Sequence, residues 1–217
     1  MTAILEDPGR LVERALGLLS TNGRRLLGIA GSPGAGKSTL AGNLVQRVNS
    51  AAGPGTAVVL PMDGFHLANR TLDRLGRRDR KGALDTFDGW GLVALLRRLR
   101  SEIDHDVFGP SFRRSVDEPI AGEIVVPAGT RLVVAEGNYL LVESTPWGRI
   151  RSLLDESWFC VSPASTRQSR LVERHIRHGR SVQAAATWAR EVDARNAELI
   201  ETTRSRADVL VSGRVRF

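Results

Sequence analysis

Three short stretches of the 217-residue chain carry side chains that could do chemistry together. The first runs Gly31-Ser32-Pro33-Gly34-Ala35-Gly36-Lys37-Ser38-Thr39. Its glycines let backbone N–H groups turn inward around an anion with no side chain in the way. A helix beginning at Lys37 would aim its positive end at the same anion. Lys37 can then reach the β- and γ-phosphates of a nucleoside triphosphate, and the Ser38 hydroxyl can ligate Mg²⁺. The spacing predicts triphosphate binding by Gly31, Ser32, Gly34, Ala35, Gly36, Lys37, Ser38 and Thr39, with ATP and Mg²⁺ as cofactors. The second stretch, Pro61-Met62-Asp63-Gly64-Phe65-His66, follows an apolar run. An aspartate there can take the proton of an attacking hydroxyl, with His66 close enough to bind the acceptor. The third, Val133-Val134-Ala135-Glu136-Gly137-Asn138, brings Glu136 to the same edge, to hold Mg²⁺ through water or to hydrogen-bond the acceptor.

The cations form a second group. Of 31 Lys plus Arg, only Lys37 and Lys81 are lysines. Lys81 lies in LGRRDRKGALDTFDGW, which lacks helical periodicity and reads as a loop over an acceptor pocket, with Arg80 and Asp85 at its entrance. Arg113 is the better acceptor contact of the pair Arg113-Arg114, because Pro110 and Phe112 suggest a structured wall. Arg167, Arg170, Arg174 and Arg177 recur at steps that put all four on one helical face, a repulsion that an anion would relieve. Arg170 and Arg174 are the first choices for stabilising a transferring phosphoryl group, with Arg180 a third. Asn196 falls in an apolar stripe with Ala185, Ala189, Val192, Leu199 and Thr203. Its carboxamide must find acceptor hydroxyls or backbone groups, or cost about 1–3 kcal/mol.

These residues need a frame. Apolar runs of strand length at 25–30, 56–60, 123–126, 131–137, 157–161 and 208–212 alternate with helix-period segments at 11–20, 37–49, 67–77, 89–103, 147–155, 164–177 and 181–204. Nearly all-apolar strands separated by helices imply a parallel sheet covered on both faces, in a three-layer α/β domain spanning 1–217. Ligands of such sheets collect beyond the carboxyl ends of the strands, where the three stretches end.

Composition removes other classes. The net charge is +7, but the positives are spread along the chain and aromatics are only 5%, too few to stack bases. No nucleic-acid partner is expected. No apolar run spans a membrane and the N-terminus has no secretory pattern, so a cytoplasmic protein is expected. Cys160, the lone cysteine, reads as a small core residue. His105, His175 and His178 show no metal-ligand spacing. A switch GTPase would carry Asn/Thr-Lys-x-Asp and an ABC-type ATPase Ser-Gly-Gly; neither is present. Edge-helix faces and subunit interfaces read alike, so no oligomeric state follows.

In order, GSPGAGKST, PMDGFH, RKGALDTFDGWGL and VVAEGNYLL resemble the uridine kinase, pantothenate kinase and phosphoribulokinase group of P-loop kinases, over nearly the whole chain. RKGALDTFDGWGLVALLRRL and TWAREVDARNAELIETTRSRADVLV are most similar to bacterial type I pantothenate kinases. EGNYLL resembles "nucleoside/nucleotide kinase family" proteins, some linked to sugar uptake. The resemblance implies a P-loop NTPase fold with a helical lid at about 164–182 that closes over ATP. It makes Asp63 the catalytic base, assigns Lys37 and Ser38 to the nucleotide and Mg²⁺, and places the Lys81 segment beside the acceptor. Two departures stand out: the N-terminal segment is shorter than in pantothenate kinases, and FGPSFRR stands where uridine kinases show a Pro-x-Tyr-Asp-like stretch. The expected reaction is transfer of the ATP γ-phosphate to a hydroxyl of a small metabolite. Sugars, pantothenate-like compounds and nucleosides all qualify, and a non-nucleoside is preferred. The alternative is a regulatory P-loop ATPase without a metabolite acceptor.

Overall fold

The computed structural model describes residues 3–217. Six strands form one sheet: β1 (Ile4–Leu5), β2 (Arg25–Ala30), β3 (Ala57–Pro61), β6 (Leu132–Glu136), β7 (Glu156–Val161) and β8 (Val209–Ser212). Their order is β1-β8-β7-β2-β6-β3, and every neighbouring pair is parallel. The remaining strands, β4 (Val107–Arg113) and β5 (Glu118–Val126), form a separate antiparallel hairpin.

Alternation along each strand sorts the apolar residues to two faces. Leu27, Ile29, Val134, Trp158 and Val211 pack under α1 (Pro8–Gly17) and α2 (Lys37–Ala52), against Leu11, Ala15, Leu40, Leu44 and Val48. Leu26, Leu60, Val133, Phe159 and Leu210 face the other way, against Leu92, Leu96 and Leu99 of α4 (Gly89–Ser101) and the hairpin's Val107 and Val126. The result is the three-layer α/β P-loop fold, its central strand β2 running directly into the glycine-rich loop. Helix starts follow capping chemistry: Asp7 accepts from the N–H groups of Gly9 (2.7 Å) and Arg10 (3.3 Å), with Pro8 at the first helical position.

At the amino edge of the sheet, Arg24 is 5% exposed and faces no carboxylate. Its guanidinium donates to the carbonyls of Pro127 (2.9 Å), Thr130 (3.0 Å), Glu102 (3.0 Å), Ala128 (3.3 Å) and Leu99 (3.3 Å). Nearby, Asp155 accepts from Arg25 Nη1 (2.9 Å) and from the Leu26 N–H (2.8 Å). Most donors of this edge find acceptors, although Arg25 Nε is buried without a hydrogen-bond partner among the described residues.

Four expectations are corrected. The segment 106–130 is a full hairpin rather than one short strand; Gly109 and Pro110 hide β4 because proline cannot donate to the ladder, and the register shifts there. The short β1 strand was not expected. The segment 147–155 forms two 3₁₀ turns, Trp147–Arg149 and Arg151–Leu153, instead of a short helix. The long last helix is broken: α6 (Val182–Trp188) passes through a π turn, Ala189–Asp193, into α7 (Ala194–Glu201). The wider turn moves the buried stripe to Ala185, Ala189, Asp193, Ala197 and Ile200, leaving Leu199 exposed. Between β7 and α6, α5 (Ala164–Arg177) crosses over the glycine-rich loop. Among the described residues, no helix is long and apolar enough to cross a membrane.

Candidate active site

The loop between β2 and α2 holds Gly34 (φ 75°) and Gly36 (φ 106°) in the left-handed region, which turns its amides towards one point. Lys37, only 7% exposed, donates from Nζ to the carbonyl of Ser32 (3.1 Å) and to Asn138 Oδ1 (2.7 Å). Burial lowers the pKa of this lysine, while Glu136, Cys160 and Asp63 act to raise it. Ser38 donates to Glu136 Oε1 at 2.8 Å. A hydroxyl and a carboxylate side by side are hard oxygen donors of the kind Mg²⁺ takes. Burial raises the pKa of Glu136, opposed chiefly by Lys37.

Asp63 enters from a 3₁₀ turn, Met62–Phe65, that follows β3. The hairpin crosses so close that a Cβ on Gly64 would lie 2.1 Å from the Pro110 carbonyl, so this turn needs a glycine. Arg114 Nη2 donates to Asp63 Oδ2 at 2.9 Å. Burial alone would raise the Asp63 pKa, but His66, Arg114, Lys37 and Arg174 together hold it below the usual carboxylate range. His66 is stacked between Phe87 (4.0 Å between centroids) and Phe112 (4.6 Å), with Nδ1 2.8 Å from the Asp63 carbonyl oxygen. Its pKa is lowered, first by burial, against the pull of Asp63.

Lys37, Ser38, Asp63, His66, Glu136, Arg170, Arg174 and Asn196 all line one cleft of about 760 Å³ at the carboxyl edge of the sheet. Thr39, Gly34 and Gly36 line it too. Ser32 is fully buried and hydrogen-bonds Glu201 Oε1 at 2.5 Å. Gly31 and Ala35 complete the loop backbone; Ala35 is buried, and Gly31 approaches the Cys160 carbonyl. The Cys160 thiol is buried and pushed up to about 11, consistent with an inert core residue. Arg170 donates to the carbonyls of Gly34 (3.2 Å) and Ala35 (3.4 Å), and so braces the loop. Arg174, one turn on, has no hydrogen-bond or ion-pair partner among the described residues, and burial lowers its pKa. Arg167 binds the Ser162 carbonyl and Glu201, while Arg180 stacks on Trp188 at 3.9 Å.

Three acceptor-side expectations change. Arg113 points away from the cleft and pairs with Glu123 across the hairpin, as does Ser111. Alternation along β4 turns Phe112 to the cleft and Arg113 away from it, and Arg114, the first residue of the turn beyond the strand, is the arginine that meets Asp63. Lys81 lines the cleft, but its ammonium donates to Asn69 Oδ1 (2.6 Å) and the Asp117 carbonyl (2.6 Å) and pairs with Asp117 Oδ2 at 3.0 Å. Those contacts, two hydrogen bonds and an ion pair, hold its ammonium against the hairpin turn, and Arg80 and Asp85 pair with each other outside the cleft. Asn196 finds backbone: its Nδ2 donates to the Gly82 carbonyl (3.1 Å), which also receives the Tyr139 hydroxyl (2.7 Å).

Sequence reading overlooked Asn138, although it stands two residues after Glu136 in a stretch already singled out. It also overlooked His175 and Asp193, which pair at 2.7 Å across the cleft wall and carry no local signal.

Comparison with known proteins agrees with this geometry. The model of the Phosphoribulokinase / Uridine kinase family matches residues 26–216. A Schizosaccharomyces pombe protein provisionally named a uridine kinase is 34% identical over 173 residues, covering 78% of this chain and 74% of its own. The Escherichia coli protein YggC is 31% identical over 94% of this chain and 85% of its own length. A crystal structure from a Silicibacter species, provisionally described as a fructose transport system kinase, superposes with a TM-score of 0.86 at 37% identity, covering 94% and 98% of the two chains. YFH7 from Saccharomyces cerevisiae shares the fold, with a TM-score of 0.83 at 20% identity over 95% and 98%. A triphosphate cradle facing an aspartate, in a chain matched almost end to end, therefore belongs to the phosphoribulokinase/uridine kinase family, as an ATP-dependent kinase of small molecules.

Proposed function

We propose that this kinase transfers the γ-phosphate of ATP to a hydroxyl of a small non-nucleoside metabolite, a sugar or pantothenate-like compound, with Asp63 as the base. The observation that carries this reading is the shared cleft: Lys37 of the glycine-rich loop and Asp63 face one volume of about 760 Å³, within the size of ordinary small-molecule pockets. The non-nucleoside preference rests on the aromatic faces. Phe87 and Phe112 pack at a tilt on His66, and Arg180 covers one face of Trp188, so these rings are already engaged by side chains of the cleft.

In this mechanism the loop amides and Lys37 hold the β- and γ-phosphates. Asp63, kept ionised, accepts the hydroxyl proton as the acceptor oxygen bonds to the γ-phosphorus and the bond to the β-phosphate oxygen breaks. Ser38 would hold Mg²⁺, with Glu136 beside it, and the ion would neutralise charge developing on the transferred group. Arg174 serves the same charge from above, and Arg170 keeps the loop in shape. Residues 164–182 act as the lid, within one catalytic domain of residues 1–217. His66 and Asn196 border the acceptor, while Lys81 orders its loop.

The test is ADP release with ATP, Mg²⁺ and a panel of sugars, pantothenate and nucleosides. Stimulation by a sugar or by pantothenate, lost in Asp63→Asn, is expected. Turnover confined to nucleosides would overturn the acceptor class. ATP hydrolysis unresponsive to every acceptor would favour a regulatory ATPase.

A further inference from the structure

We infer that the acceptor carries an anionic group, a carboxylate or a phosphate, and that Arg114 receives it while the acceptor hydroxyl lies on Asp63. The inference rests on the proposed function and adds a charge requirement to it.

Arg114 comes from the hairpin and touches the proposed base, not the glycine-rich loop. Only one of a guanidinium's five N–H groups is needed for the 2.9 Å contact with Asp63 Oδ2, and no other Arg114 hydrogen bond occurs among the described residues. The free edge of the fork borders the cleft and fits an oxyanion with two parallel donors. A hydroxyl on Asp63 and an anion on Arg114 could thus belong to one small molecule.

The surrounding charges favour such a guest. Arg174 and Arg177 of α5 line the same cleft, and neither has a hydrogen-bond or ion-pair partner among the described residues. Each helical turn advances about 5.4 Å, so from Arg170 on the loop carbonyls, Arg174 and then Arg177 lie progressively farther from the phosphate cradle. The carboxylates that could neutralise them are mostly engaged. Asp117 holds Lys81 and lies 3.7 Å from Arg78, Asp193 holds His175, and Glu136 accepts from Ser38. Asp63 takes one edge of Arg114, and Glu173, without a hydrogen-bond or ion-pair partner among the described residues, is the remaining acid of the cleft, against the unpartnered Arg174 and Arg177. His178 stands among them: after burial, Arg114, Arg174 and Arg177 are the charges that depress its pKa. Arg174 has a role on the transferred phosphate; Arg114 and Arg177 have none there. A neutral acceptor would leave Arg177 without a counter-charge and the remaining donors of Arg114 to solvent, whereas an anionic one engages both.

The test keeps the nucleotide site filled with Mg²⁺ and a non-hydrolysable ATP analogue. Thermal stability is then followed on adding inorganic phosphate or acetate, against chloride at equal ionic strength. A saturable upward shift with at least one anion is expected; phosphate alone would indicate a phosphorylated acceptor, acetate alone a carboxylated one. Arg114→Gln should weaken the apparent affinity at least tenfold while keeping the shift produced by the nucleotide analogue, which reports an intact fold. Arg114→Lys should retain part of the response, and Arg80→Gln, outside the cleft, all of it. No saturable shift beyond chloride, or an equal shift in Arg114→Gln, overturns the inference. Phosphorylation of a neutral sugar with unchanged KM in Arg114→Gln would overturn it while leaving the kinase reading intact. Asp63→Asn with full transfer would instead overturn the base assignment alone.

Discussion

The two edges of the parallel sheet handle charge in opposite ways. At the amino edge Arg24 gives its guanidinium to five carbonyls and Asp155 holds both Arg25 Nη1 and the Leu26 N–H, which leaves Arg25 Nε as a buried donor without a partner among the described residues. At the carboxyl edge Arg174 and Arg177 find no partner among the described residues, Glu136 has only Ser38, and Arg114 offers most of its donors to open space. The same residue type does both jobs; the difference lies in whether backbone carbonyls converge on it. A satisfied arginine stabilises the fold. One without a protein partner and partly shielded from water, as Arg174 is, costs stability that a ligand can return, and such costs concentrate where chemistry is done.

The sharpest way to break this contrast is to exchange its signatures. Asp63→Asn should lower kcat in acceptor-dependent ADP release by about 10²- to 10⁴-fold while moving the melting temperature little. Arg24→Met should do the reverse. Stripping the carbonyls of their donor should cost about 3–5 kcal/mol in urea unfolding, with kcat/KM near wild type wherever the protein remains folded. An Arg24 variant that lost activity at full stability would erase the distinction between the edges.

A smaller effect sharpens it. Asn138→Ala frees Lys37 from its side-chain partner and should lower kcat about tenfold, or about 1.4 kcal/mol in the barrier, with secondary structure unchanged. The smallest is a pH effect. His66 has its pKa lowered below 6.5 by burial, so below that pH the unfolded chain binds a proton that the folded one refuses. Stability should fall as pH drops from 6.5 towards the folded-state value, by at most about 1.4 kcal/mol per unit. Urea unfolding of His66→Gln across that range should be flatter than wild type by this difference. Equal slopes would mean that His66 is not shielded as its stacking implies.

What could be read in advance was what is local. The glycine-rich loop, Asp63 after β3 and Glu136 after β6 each depend on a few adjacent residues and on the rule that parallel strands deliver their ends to one edge. The choice of Arg113 over Arg114 went wrong because it depends on where β4 ends and turns, and that hairpin was masked by Gly109-Pro110. The rarity of lysine did mark Lys81, but for an architectural reason: a compact ammonium fits three oxygens where a planar fork would not. Partners such as Asn138 on Lys37, or Asp193 on His175, join segments far apart in the chain, and no spacing encodes them.

The π turn at Ala189–Asp193 works as a phase shifter. Were one residue removed from it, the chain would wind on as regular α-helix and everything beyond would rotate by about 100°. Asn196 would swing off the Gly82 carbonyl and Ile200 out from under the sheet, so the loop bearing Lys81 would lose one of its moorings. One irregular winding, far along the chain from the phosphate cradle, thereby times the approach of the last helix to the cleft.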